Sequence, residues 1–211
     1  MVGPDRLLSH GLRLMADAEQ HSTPRLAAMA CRDGLIIALL ALVPLRRGNL
    51  LSLAMGTCLI KNADQWTILI TSKKSKNHDT LEYALPEMLV PHLQAYLEVH
   101  RPVLTKQVNR WKADTGNHLW VSSHGSPMTE MAIYDAIAKR TKAAFGTAIN
   151  PHLFRDEAAT ALAIHDPAHV RSAAPLLGLR QLSTTERYYQ QAQSLEAQRE
   201  FAKQAGRMRD D

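Results

Sequence analysis

The chain contains little cysteine and few aromatic residues. Cys31 and Cys58 are its two cysteines, too few to form a disulfide framework in a chain of 211 residues. The cysteine content therefore favours a reducing cytoplasm as its compartment. Aromatic residues make up 5% of the sequence, whereas hydrophobic residues together reach 45%. A hydrophobic share of this size is typical of a globular protein with an ordinary core.

Long hydrophobic runs are also missing. The longest apolar run is Gly34–Leu45, whereas a helix that crosses a bilayer needs about 20 apolar residues. Charged residues flank the run on both sides, namely Arg32, Asp33, Arg46 and Arg47. We interpret the run as a buried helix, and we expect neither a membrane span nor a secretory signal peptide.

Motifs of nucleotide-binding proteins and hydrolases are absent as well. The sequence has no phosphate-binding P-loop and no dinucleotide fingerprint, and Ser122–Ser126 has no hydrolase nucleophile elbow around it. What the chain does have is positive charge, with 25 Lys and Arg against 20 Asp and Glu and a formal net charge of +5. This balance suits nucleic acid or another polyanion as a partner.

Hydrophobic periodicity predicts a mostly α-helical chain with a small antiparallel β-sheet. Alternating residues predict strands over 66–71 and 81–85, which the polar segment Ser72–Asp79 joins into a hairpin. Leu119–Val121 is predicted as a further short strand, and the basic, irregular segment Arg101–Asn117 as an exposed loop. Helices are predicted over Asp5–Glu19, Arg25–Val43, Arg47–Leu53, Pro86–His100, Thr129–Phe145, His152–Ile164, Ala168–Leu177 and Thr184–Lys203.

The segment 150–155 is the most informative local feature. Asn150 is a favoured helix N-cap and Pro151 suits the first helical position, so a helix is predicted to begin here. His152 and Arg155 are then neighbours on one face of its first turns. Helix N-termini attract anions, and a guanidinium binds phosphate well. The two interpretations are a site for one phosphate group and a capped helix with two solvated polar side chains.

Three further motifs accompany this helix start in a fixed order: Leu45–Leu50 (LRRGNL), Ser75–Asn77 (SKN) in the predicted hairpin, and Leu177-Gly178-Leu179 before Thr184–Tyr189 (TTERYY). Together with His152-x-x-Arg155 they resemble the catalytic domain of the tyrosine recombinases, the phage-integrase family that includes lambda integrase and Cre. The resemblance covers nearly all of the chain. It is closest to integrase-like proteins of bacterial mobile elements.

The resemblance implies the DNA breaking-rejoining catalytic-domain fold and site-specific DNA recombination, by phosphoryl transfer like that of type IB topoisomerases. In that family a tyrosine attacks a DNA phosphodiester, forms a 3′-phosphotyrosyl link and frees a 5′-hydroxyl. A 5′-hydroxyl then reverses the step and rejoins the strands. The covalent intermediate splits one hard reaction into two easier ones. The resemblance implies neither a metal nor a cofactor.

Candidate catalytic residues follow from the matching positions. Arg46 and Arg155 would grip the non-bridging phosphate oxygens, since guanidinium forks match phosphate geometry. His152 would assist proton transfer or hydrogen-bond the phosphate, and Lys76 would act as the general acid on the 5′-oxygen, with Lys74 as the alternative. Without the resemblance, Arg46 could equally cap the buried helix, and the lysines could form a solvated turn. Candidate contacts to DNA are Arg47, Lys73, Lys74 and Arg180.

The candidate nucleophile is Tyr189 or Tyr188. Ser183 and Glu186 form a predicted capping box, which puts both tyrosines in the first turns of a helix. Consecutive helical residues point about 100° apart, so only one phenol can reach the phosphate. Counting from the Leu-Gly-x motif favours Tyr188, whereas the Thr-Thr-Glu-Arg-x-Tyr pattern of the nearest relatives favours Tyr189. We choose Tyr189.

Two positions depart from the family pattern. Leu179 stands where the family usually has histidine, and leucine cannot donate a hydrogen bond to phosphate. The loss of one donor usually slows such chemistry by ~10²-fold. Asn49 replaces the acidic residue that is usual three positions after the first arginine. The alternative function is therefore a catalytically weakened or inactive DNA-binding module, and a third is a helical adaptor that binds a protein partner.

The expected partner is double-stranded DNA. We expect a free monomer that forms a homotetramer on synapsed DNA, in a bacterial cytoplasm and associated with the nucleoid. We expect a single catalytic domain over 1–211, with an N-terminal helix and linker at 1–22 and a tail helix at 190–211. Since few residues precede the long predicted helix, we expect the N-terminal core-binding domain that completes the DNA clamp in relatives to be absent, either because the chain is an excised catalytic domain or because it is a natural short form. DNA binding by this chain alone is then expected to be weak and salt-sensitive.

Overall fold

The structure, a computed structural model, describes residues 2–63, 65–71, 80–106, 115–156 and 158. A three-stranded antiparallel sheet, in the order β1-β2-β3, lies among helices. Its strands are β1 (Leu59–Asn62), β2 (Gln65–Ile70) and β3 (Leu81–Ala84). The helices are α1 (Pro4–Ala16), α2 (Pro24–Leu42), α3 (Arg47–Leu51), α4 (Val90–Ala95), α5 (Arg101–Thr105) and α6 (Glu130–Phe145), with short 3₁₀ turns at Asp17–Gln20 and Glu87–Leu89 and a π-helical segment, Tyr96–His100. The prediction of a mostly α-helical fold with a small antiparallel sheet is confirmed.

Helix α2 forms the centre of the core. It begins after Thr23, whose side-chain oxygen accepts a 3.2 Å hydrogen bond from the N–H of Leu26, and every residue from Ala30 to Leu40 is buried. Helix α1 crosses it so closely that Gly11 and Gly34 face each other. A Cβ on Gly34 would lie 2.6 Å from the carbonyl oxygen of Gly11. No helix in the described ranges is long and apolar enough to cross a membrane.

The sheet confirms the predicted hairpin and adds one strand. β2 pairs with β3 in the register Ile68↔Tyr83 and Ile70↔Leu81, so the connection that contains Lys73, Lys74 and Lys76 starts beyond Ile70. β1 pairs with the other edge of β2. Sequence analysis missed β1 because Leu59–Asn62 is short and only its first residue is buried.

Two local predictions between residues 101 and 121 are wrong. Of the loop predicted over 101–117, Arg101–Thr105 is helical instead and continues directly from the π-helical segment Tyr96–His100. A π-helical segment just before Pro102 changes the backbone hydrogen-bonding pattern at the place where the proline ring and its missing N–H would disrupt a regular α-helix. Leu119–Val121 is not a strand but is held by an isolated bridge between Val121 and Pro127. Its backbone groups bond instead to side chains and to other loops.

These bonds attach the segment around Trp120 to the helices that carry the candidate site. Trp120 Nε1 donates a 2.9 Å hydrogen bond to the carbonyl of Leu50 in α3, and the N–H of Leu119 donates to the carbonyl of Leu53 at 3.0 Å. Tyr96 donates its hydroxyl hydrogen to the carbonyl of Leu119 at 3.0 Å. The position of α3 is therefore fixed by buried hydrogen bonds at its C-terminal end.

A buried ionic network joins α2 to α6. Arg32 Nη2 lies 2.6 Å from Asp33 Oδ1, and Arg140 Nε lies 3.0 Å from Asp33 Oδ2. Arg32 Nη1 also donates to the carbonyl of Val121 at 2.7 Å. The central carboxylate thus has two cationic partners, which is what a buried charge requires. Sequence analysis did not foresee this network.

Candidate active site

Arg46 lies at the junction between α2 and α3. Pro44 follows the end of α2, and a tight turn places the N–H of Leu45 at 2.7 Å from the carbonyl of Val43. Arg46 is the N-cap of α3, and its carbonyl accepts from the N–H of Leu50 at 2.9 Å. Leu45 and Leu50 are fully buried on either side. These two anchors hold the backbone of Arg46, whose side chain is half-buried with a buried Nη1 atom.

The predicted helix start at Asn150 is confirmed. Asn150 Oδ1 accepts a 2.6 Å hydrogen bond from the N–H of His152, and residues 151–156, which we name α7, are helical. Phe154 is buried and anchors this turn. The N–H of Ile149 donates to Thr141 Oγ1 at 2.9 Å, which ties the approach to α7 to helix α6.

A hydrogen bond joins these two regions. Arg155 Nη1 donates to the carbonyl of Pro44 at 2.7 Å, across 111 residues of sequence. The second candidate arginine therefore lies against the turn that carries Arg46. His152 is exposed on the first turn of α7, three residues before Arg155. The structure brings Arg46 and Arg155 together at one junction, with His152 on the adjoining helical turn.

Tyr83 of β3 is a neighbour of this pair that sequence analysis did not single out as a site residue. Burial raises the pKa of its phenol, and the positive charges of Arg155 and then Arg46 oppose that rise. The phenol thus lies within electrostatic reach of both guanidiniums. The signal in the sequence was the alternation Leu81, Tyr83, Leu85, which marks Tyr83 as inward-facing.

Arg47, a predicted DNA contact, lies at the start of α3 in an exposed ion pair. Its Nη2 atom is 2.8 Å from Glu130 Oε2, with side-chain exposures of 41% and 48%. Asn49, which stands where relatives carry an acidic residue, is buried in the same helix. The ion pair joins the start of α3 to the start of α6, beside the candidate site.

Several predicted site residues lie outside the described residues. They are Lys73, Lys74, Lys76, Leu179, Arg180, Tyr188 and Tyr189. The predicted helices at 168–177 and 184–203 lie there too, as does most of the helix predicted from His152 to Ile164. Within the described ranges, no three His, Cys, Asp or Glu side chains cluster as a possible metal site.

The junction that carries Arg46 and Arg155 suits the binding of an oxyanion with one or two negative charges. Arg46 and Arg155 belong to separate helical segments that meet at this junction. Their guanidiniums donate hydrogen bonds but cannot accept them. One of them is already oriented by a backbone carbonyl, so less side-chain freedom is lost when an anion binds. Arg155 lies in α7, whose start is capped by Asn150 and carries the positive end of the helix dipole.

Comparison with known proteins identifies relatives. The model of the phage integrase family matches residues 9–194. A crystal structure of the XerH site-specific recombinase, in a post-cleavage complex with a palindromic difH substrate, superposes on this chain with a TM-score of 0.65 at 18% sequence identity. The alignment covers 90% of this chain and 50% of the XerH chain. The pre-cleavage XerH complex with difH gives 0.63 at 18% identity, with 86% and 48% covered.

A crystal structure of XerA recombinase gives a TM-score of 0.59 at 21% identity, with 86% of this chain and 58% of that chain covered. The chain therefore spans about half the length of these solved recombinases, which share its fold. A comparison with curated protein sequences finds no match.

Proposed function

Because the chain belongs to the phage integrase family, we propose that it catalyses site-specific DNA recombination by cleaving and rejoining strands through a 3′-phosphotyrosyl intermediate. The observation that carries this proposal is the hydrogen bond from Arg155 to Pro44, which sets two guanidiniums at one junction. Paired guanidiniums are suited to a phosphodiester, whose negative charge grows in the transition state of phosphoryl transfer.

In the proposed reaction, the phenol oxygen of Tyr189 attacks the scissile phosphorus. A bond forms between that oxygen and phosphorus, and the bond between phosphorus and the 5′-oxygen breaks. The phenol of Tyr189 gives up its proton, to His152 or to water, as the new bond forms, and Lys76 supplies a proton to the departing 5′-oxygen. In its alternative role, His152 hydrogen-bonds the phosphate. Tyr188 is the alternative nucleophile and Lys74 the alternative acid. Attack by a 5′-hydroxyl on the phosphotyrosine rejoins the strands and restores the tyrosine.

Arg46 and Arg155 are assigned to the non-bridging oxygens. Each is worth about 3–4 kcal/mol of transition-state stabilisation if it behaves like other preorganised donors at developing charge. Their preorganisation has a structural basis, since buried leucines hold the backbone of Arg46 and a carbonyl holds Arg155. Arg47, Lys73, Lys74 and Arg180 are assigned to the DNA backbone.

Double-stranded DNA is the proposed partner, in a homotetramer on synapsed sites that forms from free monomers. The solved relatives that resemble this chain include a recombinase bound to DNA before and after cleavage. The proposed location is a bacterial cytoplasm at the nucleoid. Because the chain spans about half of those relatives, tight binding needs the contacts that the rest of a clamp supplies, and its own affinity is expected to fall steeply with salt.

A non-catalytic DNA-binding module is the second candidate, and the sequence observation that favours it is Leu179. Incubation with a nicked duplex that traps the cleaved strand separates the two functions. The proposed enzyme gives a covalent protein–DNA adduct on a denaturing gel. A module gives a shifted band on a native gel and no adduct. If the wild type gives no adduct but Leu179→His does, the wild-type defect is the missing hydrogen-bond donor at position 179 rather than loss of the whole active site.

A further inference from the structure

An open cavity of about 360 Å³ lies between α1 and the last turn of α6. Helix α1 contributes Arg6, Ser9, His10 and Arg13, and α6 contributes Ala144 and Phe145. The four positions of α1 share one face, since residues three and four apart are neighbours on a helix. The cavity is therefore built from one polar stripe of α1 and the end of α6.

This cavity is separate from the candidate active site. At its first residue, Glu130, α6 pairs with Arg47 beside that site. Phe145 is the last residue of the same helix, and between residues 130 and 145 a helix rises about 22 Å. None of the described residues that the proposed function uses lines the cavity.

His10 orients one of the two guanidiniums. Arg13 Nη2 lies 3.2 Å from His10 Nδ1, and because a guanidinium only donates hydrogen bonds, Nδ1 is the acceptor. The imidazole is only 7% exposed, and it packs edge-on against the ring of Phe145 with the centroids 5.3 Å apart. Burial and then the charge of Arg13 lower the pKa of His10, which keeps Nδ1 unprotonated at neutral pH.

Phe145 orients the other guanidinium. The central guanidinium carbon of Arg6 lies 5.3 Å from the centroid of the Phe145 ring, which is within the range of a cation–π contact. Within the described ranges, no Asp or Glu forms an ion pair with Arg6 or Arg13. Both guanidiniums are therefore positioned by uncharged rings, and neither charge is neutralised by a carboxylate.

The charge around the cavity is positive. Asp5 also lines it, so with Arg6, Arg13 and a neutral imidazole the lining carries 2 − 1 = +1. The N-terminal end of α1 and the C-terminal end of α6 both border the cavity, and their dipoles oppose each other. The two guanidiniums thus determine which charge the cavity attracts.

We propose that this cavity binds an oxyanion of the phosphate type through Arg6, Arg13 and the hydroxyl of Ser9. A phosphate group offers at least three acceptor oxygens, whereas a carboxylate offers two. Each of the three donors can therefore reach an oxygen of its own, and guanidinium groups match phosphate geometry. A free phosphate compound and a phosphate of a DNA backbone share this chemistry.

Titration with inorganic phosphate at constant ionic strength, followed by backbone amide NMR, tests the site. We expect saturable shifts at the amides of Ser9, His10 and Phe145. These amides report on the cavity alone, whereas phosphate at the candidate active site shifts the amides of Arg46 and His152. Failure of the proposed function therefore leaves this test intact.

Substitutions at the cavity give the matched comparison. Arg13→Gln removes a charged donor and should weaken phosphate binding at the cavity amides about 10- to 100-fold. Asp5→Asn removes the carboxylate that repels the anion and should strengthen binding several-fold. Arg25→Gln is the control, because Arg25 is exposed in α2 and does not line the cavity, and it should leave the affinity unchanged.

The inference is overturned if the cavity amides show no saturable shift, or if Arg13→Gln and Arg25→Gln bind phosphate at these amides as tightly as the wild type. Addition of duplex DNA to the phosphate-bound protein then identifies the source. Loss of phosphate from the cavity in the wild type assigns the site to a DNA backbone phosphate. Phosphate that stays at the cavity while the duplex is bound assigns it to a free phosphate compound.

Discussion

Arg155 donates a 2.7 Å hydrogen bond from Nη1 to the carbonyl oxygen of Pro44. Pro44 follows the end of the buried helix α2, so the orientation of Arg155 depends on where that helix stops. The same break sets the direction of the chain into Arg46. Pro44 thus binds the side chain of Arg155 and leads the backbone into Arg46, so the junction after α2 positions both candidate arginines.

Substitution of Arg155 should damage chemistry more than binding. Arg155→Ala removes the guanidinium that would donate to the phosphate, together with its hydrogen bond to Pro44. We expect the rate of adduct formation to fall by about 10²- to 10³-fold. Arg155→Lys keeps the charge but lacks the planar fork, so it should recover only part of this loss. Rates on a nicked duplex at saturating protein measure the effect.

Arg25→Ala is the matched control, because Arg25 is an exposed arginine in the first turn of α2. It changes net charge equally and should leave the rate of the bound complex unchanged. A loss of rate in Arg25→Ala as large as that in Arg155→Ala would show that overall charge, not the placement of Arg155, controls cleavage.

The ion pair between Arg47 and Glu130 should compete with DNA. Its two side chains are 41% and 48% exposed, so the pair contributes no more than about 1 kcal/mol to folding. A phosphate near Arg47 would replace the carboxylate. We therefore expect Glu130→Gln to raise affinity for duplex DNA several-fold. Arg47→Ala should lower the affinity and reduce the slope of log K against log salt by about 0.9.

Asp135→Asn removes a negative charge from the same helix, at another exposed position. Fluorescence anisotropy over a salt series compares the variants. Equal gains in affinity for Asp135→Asn and Glu130→Gln would mean that DNA senses only the total charge of α6, and the competition at Arg47 would then be rejected.

Local signals in the sequence predicted the helix junctions of the site correctly. The effects of Asn150 and Pro151 on the helix start depend only on residues within one turn. Pro44 interrupts α2 whatever that helix packs against. The contacts of Tyr83, Glu130 and Asp33 could not be predicted in this way. Arg140 and Asp33, for example, are 107 residues apart, so only the folded chain shows that they pair.

The close crossing of α1 and α2 should make Gly34 indispensable for stability. A Cβ there would lie 2.6 Å from a backbone oxygen of Gly11, and neither backbone can move without shifting a helix. We expect Gly34→Ala to destabilise the fold by about 1–3 kcal/mol in spite of the better helix propensity of alanine. Urea unfolding followed by circular dichroism measures the change.

Gly48→Ala provides the comparison within a helix. The nearest atom to a Cβ at Gly48 is Glu130 Oε1 at 3.9 Å, an ordinary contact. This variant should be as stable as the wild type or slightly more stable. If Gly34→Ala unfolds at the same urea concentration as Gly48→Ala, the close approach of α1 and α2 does not exist in solution.

Acid should weaken the fold through His10. Burial lowers its pKa below the usual 6.5, and the charge of Arg13 lowers it further; the backbone of Arg140 opposes this shift. Above about pH 6.5 the imidazole is neutral in both states. Below that value the unfolded chain binds the proton more readily, so the free energy of unfolding falls until the lower, folded-state pKa is passed.

Urea unfolding at pH 7.5 and pH 5.5 tests this linkage. His10→Gln should lose less stability between the two values than the wild type does. His124→Gln, at an exposed position, should behave like the wild type. His100, whose pKa burial also lowers, should leave part of the pH dependence in place. An unchanged pH dependence in His10→Gln would contradict the assignment to His10.

Covalent attachment to DNA tests the central proposal most directly. A nicked duplex whose cleaved strand diffuses away is incubated with the wild type, Tyr189→Phe and Tyr188→Phe, and the products are separated on a denaturing gel. We predict a protein–DNA adduct for the wild type and Tyr188→Phe and none for Tyr189→Phe. An adduct that survives in Tyr189→Phe but not in Tyr188→Phe would move the nucleophile by one position. A wild-type protein that binds this duplex and forms no adduct would contradict the proposal of a recombinase.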